Sequence, residues 1–216
     1  MSANAFSRLP LKPELLTRLH AMGFAAMTPV QAETLPPLID GKDVIAQAST
    51  GSGKTAAYAL ACLQRLQPKS FHVQSLVLCP TRELAEQVAQ SVRELAKNIA
   101  NTKILTLCGG VPLGPQIGSL QHSAHIIVGT PGRVLKHLQK GTLHLHGLDV
   151  MVFDEADRML DMGFADEIDA ISSFLPQPRQ TLLFSATFPE GVRDLAQDLR
   201  EGAVQVDVTR TEEAPR

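Results

Sequence analysis

The sequence contains no tryptophan and a single tyrosine, and aromatic residues make up 4% of its 216 positions. That scarcity argues against a recognition surface built mainly from stacked rings. No excess of positive charge is present either: 20 basic residues against 22 acidic ones leave a formal net charge of −2. Binding of nucleic acid through bulk charge is therefore excluded, and any such contact must be local or shared with another part. Cysteine is sparse, with Cys62, Cys79 and Cys108 far apart and no CxxC pair. An odd number at such spacing reads as reduced thiols in a cytosolic protein, not a disulfide frame or a zinc site. The first ten residues, MSANAFSRLP, lack the apolar stretch of a signal peptide. No apolar run approaches the length needed to cross a bilayer. The seven histidines show no metal-ligand spacing, and His144 and His146 in TLHLHG suggest a short edge strand or turn. These absences lead us to expect a soluble, cytoplasmic protein acting as a monomer.

What is present is a rhythm. Hydrophobic residues make up 44% of the chain, enough for a full core. Short apolar runs fall at 43–48, 75–80, 103–108, 125–130, 149–154, 180–186 and 204–208. Most lack polar alternation, which marks strands covered on both faces. Helical patterns lie between them. The clearest covers 82–99, where Leu84, Val88, Val92, Leu95 and Ile99 recur at intervals of three or four. The alternation predicts an α/β fold with one parallel sheet and helices on both faces. Ligands of such sheets bind beyond the carboxyl ends of the strands. The last six residues, TEEAPR, are polar and read as a frayed end or linker, and 209–216 is set apart from the domain on this basis.

Two stretches at strand ends carry chemistry. ASTGSGKT (48–55) joins the first strand to a helix and matches the phosphate-loop template, with Ala48 in place of the usual first glycine. Gly51 and Gly53 let the backbone of Ser49, Thr50, Gly51, Ser52 and Gly53 wrap round an anion, with N–H groups pointing inward. The following helix adds its positive end. Lys54 supplies a charge for the outer phosphates, and Thr55 a hydroxyl for Mg²⁺. The second stretch, VFDEAD (152–157), crowds Asp154, Glu155 and Asp157 behind an apolar strand. Three carboxylates this close repel unless something pairs with them. In a phosphate-loop enzyme, Asp154 at the strand end would hold Mg²⁺ through water, and Glu155 would orient or deprotonate the attacking water. The metal and Lys54 together would keep the cluster ionised.

The two motifs together, with the literal letters Asp154-Glu155-Ala156-Asp157, resemble the DEAD-box family of ATP-dependent RNA helicases. The likeness runs from about Phe6 to about residue 208. GFAAMTPVQ (23–31) resembles the family's Q motif, with Phe6 seventeen positions before Gly23 as its isolated aromatic. PTRELA (80–85), GG (109–110) and TPGR (130–133) resemble the RNA-backbone motifs, and SAT (185–187) the motif coupling hydrolysis to strand separation. Within the family, NTKILTLCGG, HLQKGT and DEADRMLDMGF look most like the bacterial DbpA type, which implies ribosomal RNA as substrate during large-subunit assembly. The resemblance implies a RecA-like phosphate-loop domain over residues 1–208, ATP and Mg²⁺ as cofactors, RNA as partner and a second RecA-like domain of the same protein. No motif of that second domain is found, so the chain is expected to be the first domain only.

On this likeness the remaining motifs acquire roles. Gln31 can donate and accept at once, which suits the adenine edge, and Phe6 would stack on the base. Without the family, Thr28 is a plain N-cap with Pro29 at the first helical position, and that cap would fix Gln31. Pro80, Thr81 and Arg82, then Thr130, Pro131, Gly132 and Arg133, start two helices able to grip RNA phosphates. Gly109 and Gly110 supply a flexible turn between them. Such backbone contacts carry no sequence information. Ser185 and Thr187 would hydrogen-bond Asp157 and link the γ-phosphate site to domain closure. Two other functions use the same phosphate loop. A small-molecule kinase would need an acceptor pocket and a lid, and no lid segment is evident. A nucleotide-dependent binding module without catalysis would have no use for Glu155.

Overall fold

The computed structural model describes residues 3–199 and 202–209. A 3₁₀ turn at Phe6–Arg8 precedes α1 (Pro13–Ala21), α2 (Pro29–Ile39), β1 (Val44–Gln47) and α3 (Lys54–Arg65). Then follow β2 (Ser75–Leu78), α4 (Arg82–Leu95), β3 (Ile104–Leu107), α5 (Leu113–Gln121), β4 (Ile126–Gly129) and α6 (Pro131–Lys140). The chain continues through β5 (Val150–Phe153), α7 (Ala156–Asp161), α8 (Ala165–Ser172), β6 (Gln180–Ser185), α9 (Glu190–Gln197) and β7 (Val204–Asp207). Residues 210–216, most of the expected tail, lie outside the described residues. Among the described residues no helix is long and apolar enough to cross a membrane.

All seven expected strands form, and they pair in parallel in the order β3-β4-β2-β5-β6-β1-β7. Parallel strands expose both faces to crossover helices, which is why their sequences read as unbroken apolar runs. The two-residue period is nevertheless present in the packing. Val44, Ala46, Val150, Val152, Leu182 and Phe184 enter one core with α1, α2, α3 and α4. Ile45, Met151, Phe153 and Leu183 enter the other with α6, α7, α8 and α9. Every strand but β7 thus contributes to both cores.

Helix ends set the geometry at the sheet's carboxyl edge. Thr28 caps α2 with a full capping box: its hydroxyl accepts from Gln31 N–H, and Gln31 Oε1 accepts from Thr28 N–H at 2.9 Å. Thr81 caps α4 by accepting from Leu84 N–H at 3.2 Å. α4 stops at Leu95, short of the expected residue 99, and a turn bonds Ile99 N–H back to Ala96 O. At the far end of α3, Lys12 Nζ donates to the carbonyls of Leu63 (3.2 Å) and Leu66 (2.6 Å). A cation on those last carbonyls anchors the helix whose other end is the phosphate loop. His144 and His146 lie in a turn, with no strand there.

Candidate nucleotide site and RNA-facing edge

The strand order divides the motifs into two groups. The phosphate loop, the acidic cluster and SAT follow β1, β5 and β6, which are neighbours. PTR, GG and TPGR follow β2, β3 and β4, which form the other half of the sheet. Backbone bonds prolong the ladder beyond the strands. Ala48 N–H donates to Ser185 O at 3.1 Å, Asp154 N–H to Leu78 O at 3.0 Å, and Cys79 N–H to Gly129 O at 2.9 Å. All the sequence-selected stretches therefore meet along one edge, with Asp154 at the junction of the halves.

In the phosphate loop Gly51 and Gly53 take φ of 83° and 91°, a region costly for other residues. Gly53 is also where a neighbour comes closest: a Cβ there would lie 2.6 Å from Gln31 Nε2 and 2.8 Å from Thr28 Oγ1. Gln31 Nε2 donates to Gly53 O at 3.0 Å. Buried Gln31 thus ties the cap of α2 to the start of α3, and this bond occupies part of the amide that adenine recognition would use. Phe6 lies beside the same stretch, since Ala5 bridges Ala26 and Met27 N–H donates to Asn4 O at 2.7 Å. Its ring, however, is 2% exposed and packs edge-on against Phe24 at 5.9 Å. In this arrangement the ring supports the Q-motif backbone and offers no open face to a base.

The acidic cluster finds its partner in Lys54. Lys54 Nζ stands 2.8 Å from Asp154 Oδ1, both groups buried. The pair's angles fall short of a hydrogen bond, so Oδ1 has charge compensation but no donor along its lone pairs. Tyr58, one turn beyond Lys54, donates its hydroxyl to Asp154 Oδ2 at 2.8 Å. Burial first, then the Asp154 charge, pushes the Tyr58 phenol well up. Lys54 and Tyr58 so meet the two oxygens of Asp154 from successive turns of α3. Ser52 Oγ is buried with no protein partner among the described residues. A buried hydroxyl and a carboxylate oxygen left short of donors fit a ligand bringing charge and hydrogen-bonding groups. Among the described residues no three His, Cys, Asp or Glu side chains converge on a metal position. The donors are hard oxygens with one carboxylate, a set that suits Mg²⁺ sharing its shell with water and phosphate.

Glu155 sits at the start of α7 with φ 51°, left-handed for a non-glycine residue. Such strain persists only where the surroundings enforce it. Here Thr50 donates to Glu155 Oε1 at 3.1 Å, and Arg158 NH1 lies 3.9 Å from Oε2. The carboxylate is thereby turned towards the phosphate loop. Asp157 accepts from Thr187 Oγ1 at 2.7 Å and Thr187 N–H at 3.1 Å, while Asp157 N–H donates to Ser185 Oγ at 3.1 Å. Burial pushes the Asp157 carboxyl up, but bonds from Thr187, Arg158 and Ser185 outweigh it and leave it below the usual carboxylate value.

On the other half of the edge Arg82 is exposed and, among the described residues, paired only with Glu86 at 3.1 Å. Thr130 begins α6, but its hydroxyl makes no capping bond, so the two helix starts are not equivalent. Pro80 and Pro131 are buried, and Gly110 and Gly132 exposed. Gly110 has φ 83°, with the Arg82 guanidinium 3.5 Å from where a Cβ would stand. A clamp unmarked in the sequence holds this loop. Gln116 Nε2 donates to Cys108 O at 3.1 Å, and Arg133 NH1 donates to Val111 O at 2.9 Å and to Gln116 Oε1 at 3.1 Å. Buried His137 lies with Nε2 2.8 Å from Gln116 Oε1 and Nδ1 2.8 Å from Thr142 Oγ1. Burial, then Arg133, Lys136 and Lys140, push the His137 imidazole down. Gly109 and Gly110 are thus held from both flanks. Sequence reasoning missed Tyr58, Gln116 and His137, and it placed Thr50 in the phosphate loop without its side-chain bond to Glu155. Gly129, whose Cβ would meet Leu107 O and Val134 Cγ2 at 2.6 Å, was signalled only by a glycine closing an apolar strand. The three cysteines are free and buried.

Comparison with known proteins supplies the family. Residues 28–195 match the family described as DEAD/DEAH box helicase. The chain is 55% identical to ATP-dependent RNA helicase DbpA of Escherichia coli K12 over 98% of its length, covering 46% of that protein. It is 46% identical over 89% of its length to DEAD-box ATP-dependent RNA helicase CshA of Bacillus cereus, covering 36% of it. It superposes on the crystal structure of a DEAD box protein from Methanococcus jannaschii with TM-score 0.93 and 35% identity, over all of this chain and 59% of that one. The chain thus spans about half, or less, of the curated relatives it matches. With a RecA-like parallel sheet and both signature motifs on one edge, the chain belongs to the DEAD/DEAH box helicase family.

Proposed function

We propose that this chain is the ATP-binding, RNA-backbone-contacting N-terminal RecA-like domain of an ATP-dependent RNA helicase, working with a second RecA-like domain. The observation that carries the reading is the buried Lys54–Asp154 pair at 2.8 Å, which joins the phosphate loop to the acidic cluster. The backbone N–H groups of residues 49–54 surround the polyphosphate, and Lys54 exchanges its carboxylate partner for phosphate oxygen. Thr55 and Asp154 would hold Mg²⁺, which when bound would supply positive charge at the phosphates. Glu155, oriented by Thr50, positions the attacking water and accepts its proton. Gln31 with Thr28 reads adenine. Pro80, Thr81, Arg82, Gly109, Gly110, Thr130, Pro131, Gly132 and Arg133 hold successive phosphates of one RNA strand. Arg82 is available because an exposed ion pair such as Arg82–Glu86 contributes little. Asp157, Ser185 and Thr187 couple hydrolysis to movement of the second domain, and bending of the bound strand opens the duplex. Ribosomal RNA is the substrate class that the likeness to the DbpA type favours.

Phosphate release tests this. The chain alone is expected to turn over ATP slowly, because transition-state charge is left without the cations a second domain supplies. Adding a purified second RecA-like domain and RNA should raise turnover, and Glu155→Gln should abolish the rise. Full RNA-stimulated turnover by the chain alone, insensitive to Glu155→Gln, would overturn the proposal.

A further inference from the structure

We propose that the end of the sheet opposite the nucleotide site carries a second site for single-stranded RNA, with Phe71 as its stacking platform. Phe71 lies in the loop between α3 and β2, at the amino ends of the strands. It is 67% exposed, the most exposed large apolar side chain among the described residues. In a chain so poor in aromatics, a phenyl ring left in water is conspicuous. Its ring leans on that of His125, with centroids 5.8 Å apart. His125 is itself fixed, accepting from Lys103 N–H on Nδ1 at 3.0 Å with Nε2 3.0 Å from Pro68 O. The platform is therefore propped from behind and open in front.

Three hollows of about 180, 450 and 440 Å³ adjoin the ring. Their walls are cationic: Lys69, Arg93 and Lys103 line them, against Glu14 as the one carboxylate. This local excess stands out in a chain of net charge −2. Two of the cations are braced. Lys103 Nζ donates to Ser119 O at 3.0 Å, and Arg93 NH2 to Ile104 O at 3.2 Å. A purely apolar patch would suit a protein partner. A propped ring among cations, nearly free of carboxylates, selects an anion with a flat apolar face. Single-stranded RNA has both properties, whereas a duplex hides its base faces. The site also lies beneath β3 and β4, the half of the sheet whose upper ends carry the GG and TPGR stretches. β3 is four residues long, about 13 Å. If the proposed function holds, a strand gripped at Gly109–Gly110 and running down that edge heads towards Phe71.

Because the chain lacks tryptophan, Phe71→Trp places one local reporter at the site. Titration with a short oligouridylate should quench its emission saturably. The log–log salt slope should be near −2 if about three cations engage a single strand. Lys69→Glu should shift the midpoint to higher RNA concentration. In anisotropy measurements Phe71→Leu should weaken binding by about five- to a hundredfold, as loss of one stacked base does, with Mg-ADP binding unchanged as proof of folding. The quench should persist in Arg82→Ala, which addresses the edge described above. No quench, a quench by a polyglutamate peptide in place of RNA, or a quench lost with Arg82→Ala would each overturn the proposal.

Discussion

Tyr58→Phe removes one oxygen atom from the centre of the proposed nucleotide site and nothing else. The hydroxyl donates to Asp154 Oδ2 at 2.8 Å, and both residues are buried. A hydrogen bond to a charged group contributes about 1.5–3 kcal/mol, and loss of a buried donor places the expected cost near 2 kcal/mol. The ring itself keeps its packing on Phe184, 5.5 Å away, so the packing loss is small. For a domain of this size, about 2 kcal/mol corresponds to a fall of roughly 4–8 °C in Tm, read by calorimetry or circular dichroism. In an Asp154→Asn background the same change removes only a neutral bond, so its cost should drop to about 0.5–1.5 kcal/mol. The freed carboxylate should also hold its ion less well, by about tenfold or more, since outer partners orient metal ligands. An unchanged Tm, or an equal cost in both backgrounds, would refute the reasoning.

Two further outcomes follow from the same geometry. Gly53→Ala forces a Cβ to within 2.6 Å of Gln31 Nε2 at φ 91°, so adenine-nucleotide affinity should fall by about tenfold or more, at a cost of about 1–2 kcal/mol in strain; unchanged affinity in a calorimetric titration would contradict this. Asp157 is held below its usual pKa, so its contribution to stability is complete above the unfolded value and disappears as pH falls through the lower folded one. Asp157→Asn should therefore flatten the loss of stability below about pH 4, measured as urea midpoints against pH, whereas an unaltered acid limb would count against the Thr187 bonds.

The strands were legible because each is covered on both faces and so reads as an apolar run. Their order was not. Nothing in VMVF says that β5 lies between β2 and β6, yet that placement brings Asp154 to Lys54. Tyr58 was invisible for the same reason: an aromatic in an apolar helix reads as core, and its ring is core. Only the arrival of β5 gives its hydroxyl a partner. Phe6 was placed by the family likeness alone, and the sequence did not show that the Ala5–Ala26 bridge turns its ring inward onto Phe24. Gln116 and His137 bear no motif, because a clamp on two carbonyls needs only an amide at the right distance and many spacings provide one.

The central claim is that one pocket, formed by the phosphate loop and the end of β5, binds Mg-adenine nucleotide. Calorimetric titration of Mg-ADP and Mg-GDP into the chain, Lys54→Ala and Asp154→Asn addresses it directly. The account predicts tighter binding of ADP than GDP by the unaltered chain, and at least a tenfold loss, about 1.4 kcal/mol, in each variant with the fold retained. Equal affinity for both nucleotides, undiminished in both variants, would contradict it.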